Sequence, residues 1–280
     1  MLIHWELNLK ESDSKLKVSA YIPCYNNEST IATAIESILN QNYPVDEIII
    51  IDDGSIDNSI NIIKRYEVRL ISLKENKGRG FVRNLATREC KNEFILCCDA
   101  TNSLDSNFLK ISSKHLKDNS DICSVSGIIK AKTQKGIVCR WRSRHLFKEG
   151  IEYSIGQLTK TTLVTYGTLV RKSMILHAGN FDPNYQHSED EELGERLVKH
   201  GFKSIGDPLL IAYSEIANSL FEVLERHWRW HVGKEENFNL LSFINLIKSS
   251  LNPMLLEDLK AHDMSASLIS LLYPFFFLYK

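Results

Sequence analysis

The chain is 280 residues long, 43% hydrophobic and 25% charged, with a formal net charge of −1. That length buries a full core and fits one α/β domain with a helical appendage better than two equal domains. The near-neutral balance argues against a polyanion partner, so no nucleic acid is expected. Without Gly/Pro/Ser-rich tracts, repeats or runs of like charge, nothing points to disorder.

In chain order, residues 1–16 read as an N-terminal extension. MLIHWELNLKESDSK lacks a basic flank followed by a long apolar stretch, so it is not a signal peptide, and a cytoplasmic setting is expected. Lys17 to Tyr21 opens a strand, and Glu28 and Ser29 offer an acidic N-cap region before Ile31, Ala34, Ile35, Ile38 and Leu39, which line one helical face. Ile48 to Ile51 is wholly apolar and β-branched, the signature of a strand buried on both faces of a parallel sheet. Ile56, Ile60 and Ile63 recur at helical spacing. Strand Val68 to Leu73, a helix from Gly80 to Cys90 and strand Phe94 to Cys98 follow. This β-α-β-α-β-α-β order predicts an α/β fold with a Rossmann-like, mainly parallel central sheet flanked by helices. Ligands bind such sheets at the carboxyl ends of the strands, where PCYNNE, DDGS and DATN fall.

Beyond Asn119 come apolar stretches Ile122 to Ile129 and Leu163 to Val170, with a basic stretch Lys130 to Lys148 between them. The basic stretch reads as a solvated face or as a cradle for an acidic ligand. Asp190 to His200 predicts a helix ended by Gly201, and later helices are expected around Phe221 to His231 and Phe238 to Ser250. Met264 to Tyr279 carries no charge and is short for a bilayer span of roughly 20 residues. It reads either as a peripheral membrane contact over 264–280 or as a segment packed on its own domain. The six cysteines, Cys24, Cys90, Cys97, Cys98, Cys123 and Cys139, form no CxxC pair and read as reduced, buried thiols.

The residue types at the strand ends suit a nucleotide. Pro23 and Tyr25 offer an apolar contact for a base. Asp52 and Asp53 can accept hydrogens from base and ribose, although DDGS also has the chemistry of a turn that caps the next helix. Lys77, Arg79 and Arg83 stand near the start of the third helix, where amides and positive side chains favour an anion. The run Glu189, Asp190, Glu191, Glu192 begins a helix, where acids are also favoured by the dipole alone.

Four segments in order carry a family resemblance: VSAYIPCYNNESTIATAIESILNQNYPVDEIIIIDDGSIDNS, KENKGRGFVRNLA, FILCCDATNSLD and HAGNFDPNYQHSEDEELGERLVKHG, together about Val18 to Asp207. They resemble the glycosyltransferases of family 2, inverting enzymes of the GT-A fold that use nucleotide sugars. The resemblance implies a GT-A domain over 17–215, with a nucleotide-binding half (17–118) and an acceptor-binding half (119–215), and a helical extension over 216–280. It implies nucleotide contacts from Pro23, Tyr25, Glu28, Asp52, Asp53, Lys77, Arg83 and Asp99, with Asp53 on the uracil or ribose. Asp99 matches the first aspartate of the family's DxD metal motif, which would hold Mn²⁺ or Mg²⁺. Thr101 stands where the second aspartate would be, and hard cations favour anionic oxygens. Asp190 matches the catalytic base of the ED motif, which a helix N-terminus would keep ionised. Glu189, His187, Arg229 and Trp230 would then face the acceptor, a glycan, a lipid-linked sugar or a protein. RHWRW (Arg226 to Trp230) resembles the QxxRW signature of processive members, with Arg226 in place of glutamine. The alternatives are a nucleotidyltransferase, which lacks its Gly-rich triphosphate loop here, and a non-catalytic scaffold of the same fold. The setting implied is cytoplasmic, or peripheral at the inner face of the cell membrane.

Overall fold

Strand β1 (Val18–Cys24) pairs in parallel with β2 (Glu47–Asp52) on one side and β4 (Phe94–Cys98) on the other, and β2 pairs in parallel with β3 (Arg69–Ser72). The computed structural model describes residues 15–133, 135–149, 158–216, 218–232 and 240–279, and of 229–232, 278 and 279 the backbone alone. All but Lys15 and Leu16 of the expected N-terminal extension thus lie outside the described residues. Ile48 to Ile51 are buried on both sheet faces, as their unbroken apolar run predicts. Helix α1 (Ile31–Leu39) buries Ile31, Ala34, Ile35 and Ile38, and α3 (Arg79–Glu89) buries Gly80, Val82, Arg83, Ala86 and Thr87.

The second helix starts later than its isoleucine spacing predicts. α2 spans Ser59–Ile63, and Ile56 is 91% exposed in the loop before it. Asp57 accepts a hydrogen bond from the Ser59 amide at 3.0 Å and so fixes the turn that precedes the helix.

The second half of the sheet departs from the mainly parallel expectation. Strand order is β3-β2-β1-β4-β8-β6-β9-β5, with β7 (Thr159–Lys160) also on β9. β8 (Gly167–Arg171) runs antiparallel to β4 and to β6 (Ile122–Ala131). The long β9 (Lys203–Ser214) is parallel to β6 and antiparallel to β5 (Asn102–Leu104) and β7. An apolar run reports that a strand is buried but not which way it points, so the sequence carries no signal for this reversal. The consequence is functional. Gly167 pairs with Cys98, so the segment entering β8 arrives at the same edge where β4 ends.

Helix α4 (Phe108–Asp118) covers one face of the sheet, while α6 (Lys172–His177) and α7 (Glu189–Lys199) join the core on the other. α7 ends as its glycine predicts. Gly201 has φ +81°, its amide donates to the Val198 carbonyl, and the Phe202 amide reaches back to Leu197. All six cysteines are buried and free.

The basic stretch is not one solvated face, because Lys132, Thr133 and Lys135 are exposed but the arginines that follow are engaged by the rest of the chain. Within it α5 (Ile137–His145) buries Trp141 and Arg142 against the C-terminal helices α8 (Leu220–Val232), α9 (Leu240–Ser249), a kinked segment (Ser250–Leu255), α10 (Leu256–Lys260) and α11 (Met264–Tyr279). These elements share a separate core of Trp141, Val223, Leu246, Ile269, Tyr273 and Phe277. Arg140 pairs with Asp263 at 2.8 Å, Arg144 pairs with Asp258, and His145 meets Asp258 at 2.8 Å. The partners lie more than a hundred residues downstream, so local sequence gives the basic run the look of a surface.

α11 packs one face on its own domain and leaves another exposed. Ala266, Ile269, Tyr273 and Phe277 pack inward, while Met264, Leu268, Leu271, Leu272 and Phe275 form an exposed apolar stripe on the far side. Among the described residues no helix is long and apolar enough to cross a membrane.

Candidate active site

Because β1, β2 and β4 are parallel, their carboxyl ends share one edge. At the end of β1, Tyr25 is 45% exposed, and Pro23 is partly exposed beside it. The loop that follows is stitched to the loop after β2. The Asn26 amide donates to Ser55 Oγ at 2.9 Å, and the Ile56 amide donates to Asn26 Oδ1 at 2.9 Å. Glu28, expected on the nucleotide, instead accepts from the Asn58 amide at 2.9 Å and belongs to this seam.

The neighbouring aspartates part company. Asp52 is fully buried, accepts from the Ser55 amide at 3.2 Å and leaves Oδ1 without a partner, so it braces the turn and does not face a ligand. Asp53 accepts from the Lys77 amide at 2.7 Å and the Gly78 amide at 3.0 Å, so it fixes the loop that opens α3. Burial raises its pKa and those two amides offset the shift. Gly78 has φ +88°, a backbone conformation that strains any residue with a side chain, so glycine favours this loop closure. Lys77 itself pairs with Glu75 and stays about half exposed.

The centre of the edge is Arg83. Its guanidinium, 2% exposed, donates through Nε to Glu189 Oε1 at 2.9 Å and through Nη2 to Asp99 Oδ1 at 2.6 Å, and Nη1 reaches the Tyr21 hydroxyl at 3.3 Å. Four elements meet there: β1, α3, the end of β4 and the start of α7. Burial opposes its charge, but Asp99, Tyr21, Glu189 and Asp190 outweigh that and hold the group protonated. At 2% exposure and with each nitrogen bonded once inside the protein, Arg83 is turned onto these groups and not onto the open edge where a nucleotide contact is expected.

Glu189 is likewise 2% exposed and turned onto Arg83, which corrects its expected place on the acceptor side. Its Oε2 is buried without a partner. Next to it, Asp190 stays partly open, and Thr165 Oγ1 donates to its Oδ2 at 3.3 Å. Burial raises the Asp190 pKa, Glu189 and Asp99 raise it further, and Arg83 opposes them. This reverses the expectation that a helix N-terminus simply keeps the group ionised. Desolvation and like charge win, and they make Asp190 more basic than a surface aspartate. His187, just before α7, is half-buried with Nδ1 unpartnered. The side chains of Arg229 and Trp230 lie outside the described residues. Tyr21 and Thr165 escape a sequence reading. The only signal for Tyr21 is a hydroxyl inside an otherwise buried strand, and Thr165 reaches the site only because β8 runs antiparallel.

Among the described residues no three His, Cys, Asp or Glu groups are placed to hold a metal by themselves. Asp99, 29% exposed, is the one carboxylate of the DxD-like segment, with Thr101 in the second position. The charge nevertheless suits a divalent cation, because Asp99, Glu189 and Asp190 crowd about a single guanidinium. The residues therefore fit a metal shared with oxygens of a bound ligand, not one held by the protein alone.

A nucleotide-type sheet edge that gathers carboxylates from β4 and from a helix of the second half defines a sugar transferase of the GT-A fold. The chain belongs to glycosyl transferase family 2, whose model matches residues 19–176. That membership sets aside the nucleotidyltransferase alternative. Poly-beta-1,6-N-acetyl-D-glucosamine synthase of Staphylococcus epidermidis is 24% identical over 258 residues, which cover 86% of this chain and 61% of the synthase. The chain thus spans about six-tenths of the length of the curated relatives it matches. Among solved structures, the mannosyltransferase PcManGT from Pyrobaculum calidifontis, in complex with GDP-Man and Mn²⁺, superposes with a TM-score of 0.62. It has 15% identity over 95% of this chain and 75% of its own. TarS of S. aureus in complex with UDP gives a TM-score of 0.53 and 19% identity, covering 78% and 66% of the two chains.

Proposed function

We propose that this glycosyltransferase moves a sugar from a nucleotide diphosphate donor, a UDP-sugar, to a glycan or lipid-linked acceptor with inversion at the anomeric carbon. The observation that carries the reading is Asp190, a carboxylate made basic by its surroundings and standing at the edge where the parallel strands end. Asp190 removes the acceptor hydroxyl's proton as that oxygen attacks the anomeric carbon from the face opposite the diphosphate. The new glycosidic bond forms, the bond to the diphosphate oxygen breaks, and the nucleotide leaves with the electron pair. Pro23 and Tyr25 supply the base contact, the loop that Asp53 holds brings Lys77 toward the diphosphate, and Asp99 faces the donor. Mn²⁺ or Mg²⁺, shared between Asp99 and the donor, would neutralise charge on the leaving diphosphate. The solved relatives bound to UDP, GDP-Man and Mn²⁺ support a nucleotide-sugar donor and a divalent ion. The name of the staphylococcal synthase supports a glycan acceptor. His187, Arg229 and Trp230 are the acceptor-side candidates, and the exposed stripe of α11 is the candidate contact with the inner membrane face.

Calorimetric titration with UDP, GDP and dTDP, each with Mn²⁺ and with chelator, tests this reading. UDP alone should bind, and more tightly with Mn²⁺. Binding of none of the three would end the donor assignment.

A further inference from the structure

We infer that Arg83 and Glu189 are positioning residues, a buried strut that fixes the base Asp190 against the donor-side carboxylate Asp99. The inference rests on the reading of Asp190 as base and goes beyond it by saying what aims that base.

The first turn of α7 has little else to orient it. The helix begins after Ser188 at φ +60°, and the Ser188 side chain caps none of its amides. Asp190 itself accepts from Thr165 Oγ1 at 3.3 Å and from the amide of the next residue, Glu191, at 3.0 Å, and neither bond ties it to the donor side. What ties this turn down is Glu189, one residue earlier, bonded at 2.9 Å to a guanidinium that is bonded in turn to Asp99 at 2.6 Å. The planar fork of arginine holds both carboxylates at fixed angles, which a lysine ammonium does not do. The acidic side chains come from two places far apart in sequence, Asp99 after β4 and Glu189 with Asp190 at the start of α7, and the Arg83–Glu189 bond spans 106 positions.

Asp258, in the helical extension, has both carboxylate oxygens satisfied. Its Oδ1 receives Arg144 and His145, and its Oδ2 accepts from Ser270 at 2.6 Å. Glu189 Oε2 is buried and unpartnered. An orphaned buried acceptor costs stability, so this pair is a poor fastener. It is well suited to holding charge and geometry beside Asp190.

The test compares Arg83→Lys, Glu189→Gln and the double variant for kcat, donor KM, calorimetric affinity for UDP and melting temperature. Glu189→Gln keeps the volume but breaks the ion pair, because a neutral amide oxygen accepts far more weakly from the guanidinium than a carboxylate does. Each single variant should lose roughly 100-fold in kcat, the scale of a misaimed catalytic group. Donor KM and UDP affinity should stay within about threefold. The double variant should be no slower than the worse single one, because both break the same strut. Weaker UDP binding in Arg83→Lys but not in Glu189→Gln would make Arg83 a nucleotide contact and overturn the inference. Multiplying kcat losses, or losses that track a fall in melting temperature, would overturn it as well. If Arg83→Lys does not fold, Glu189→Gln decides alone, and unchanged kcat there ends the strut. Asp190→Asn, assayed alongside, keeps the two readings apart. Full turnover in that variant ends the base assignment, whereas lost turnover there with full kcat in Glu189→Gln ends only the strut.

Discussion

Two ion clusters of similar composition hold this molecule together, and they differ in balance. Where α5 meets the C-terminal helices, Arg140, Arg144 and His145 face Asp258 and Asp263, and the oxygens of Asp258 are fully engaged. At the sheet edge, among the described residues, Arg83 is the cation that faces Asp99, Glu189 and Asp190, and one glutamate oxygen has no partner. The first cluster lowers the pKa of its carboxylate Asp263, chiefly through the Arg140 hydrogen bonds, whereas burial first, and then Glu189 and Asp99, raise that of Asp190 against Arg83. Matched charge fastens helices. Unmatched charge costs stability and leaves a group free to take a proton, which is why imbalance marks the functional cluster.

The largest expected effect separates the two at once. Asp190→Asn should lower kcat by about 10³-fold, the middle of the range for a lost general base, and leave UDP affinity and melting temperature close to those of the parent. Steady-state kinetics with calorimetry check this. A variant that keeps turnover would remove Asp190 from the base role and blur the contrast.

Next in size is the opposite outcome in the other cluster. Asp258→Ala leaves Arg144 and His145 with a buried partner missing, and the expected cost is about 3–5 kcal/mol. That corresponds to a fall in melting temperature of roughly 10 °C for a chain of this length. UDP affinity of the folded protein should not change, because Asp258 packs on α5 and α11, away from the strand ends. Weaker UDP binding with an unaltered melting curve would mean that the extension contributes to the site.

The two clusters were also unequally legible in the sequence. β1, β2 and β4 can be read because strands buried on both faces are continuous apolar runs, and the carboxylates that follow them stand out against those runs. α7 can be read because its apolar spacing and terminal glycine are local signals. What joins these pieces is not local. The Arg83–Glu189 and Arg144–Asp258 bonds cross more than a hundred residues, and nothing in a segment reports its partner at that distance. Hence Glu189 reads as an acceptor contact and the α5 arginines as surface charge, until the reversed β8 and the C-terminal helices bring their partners in.

A smaller effect is expected at the outer face of the second cluster's scaffold. Leu268 and Leu272 are exposed on α11, opposite the side that carries Ser270 into the Asp258 network. The double change Leu268→Glu, Leu272→Glu should lower partitioning onto anionic vesicles by tenfold or more, since burying a charge at an apolar interface costs about 1 kcal/mol or more. Solution affinity for UDP should not move. Equal sedimentation of parent and variant with vesicles would leave the stripe without a membrane role.

The smallest effect is a difference in sign. The Asp190 pKa is raised in the folded chain, so its contribution to stability is complete below the unfolded value, near pH 4, and is lost as pH rises through the folded value. Asp263 is the reverse. Its pKa is depressed, so its contribution is complete above that unfolded value and is lost as pH falls through the folded one. Melting temperatures of the parent, Asp190→Asn and Asp263→Asn from acid to neutral pH isolate each term by subtraction. The parent should lose ground to Asp190→Asn as pH rises above about 4 and lose its lead over Asp263→Asn as pH falls below that. The acid limb of kcat should follow Asp190 and lie above the range of a surface aspartate. Slopes of the same sign in both differences would mean that the two clusters hold their carboxylates alike, and charge balance would no longer distinguish the active edge from the helical fastener.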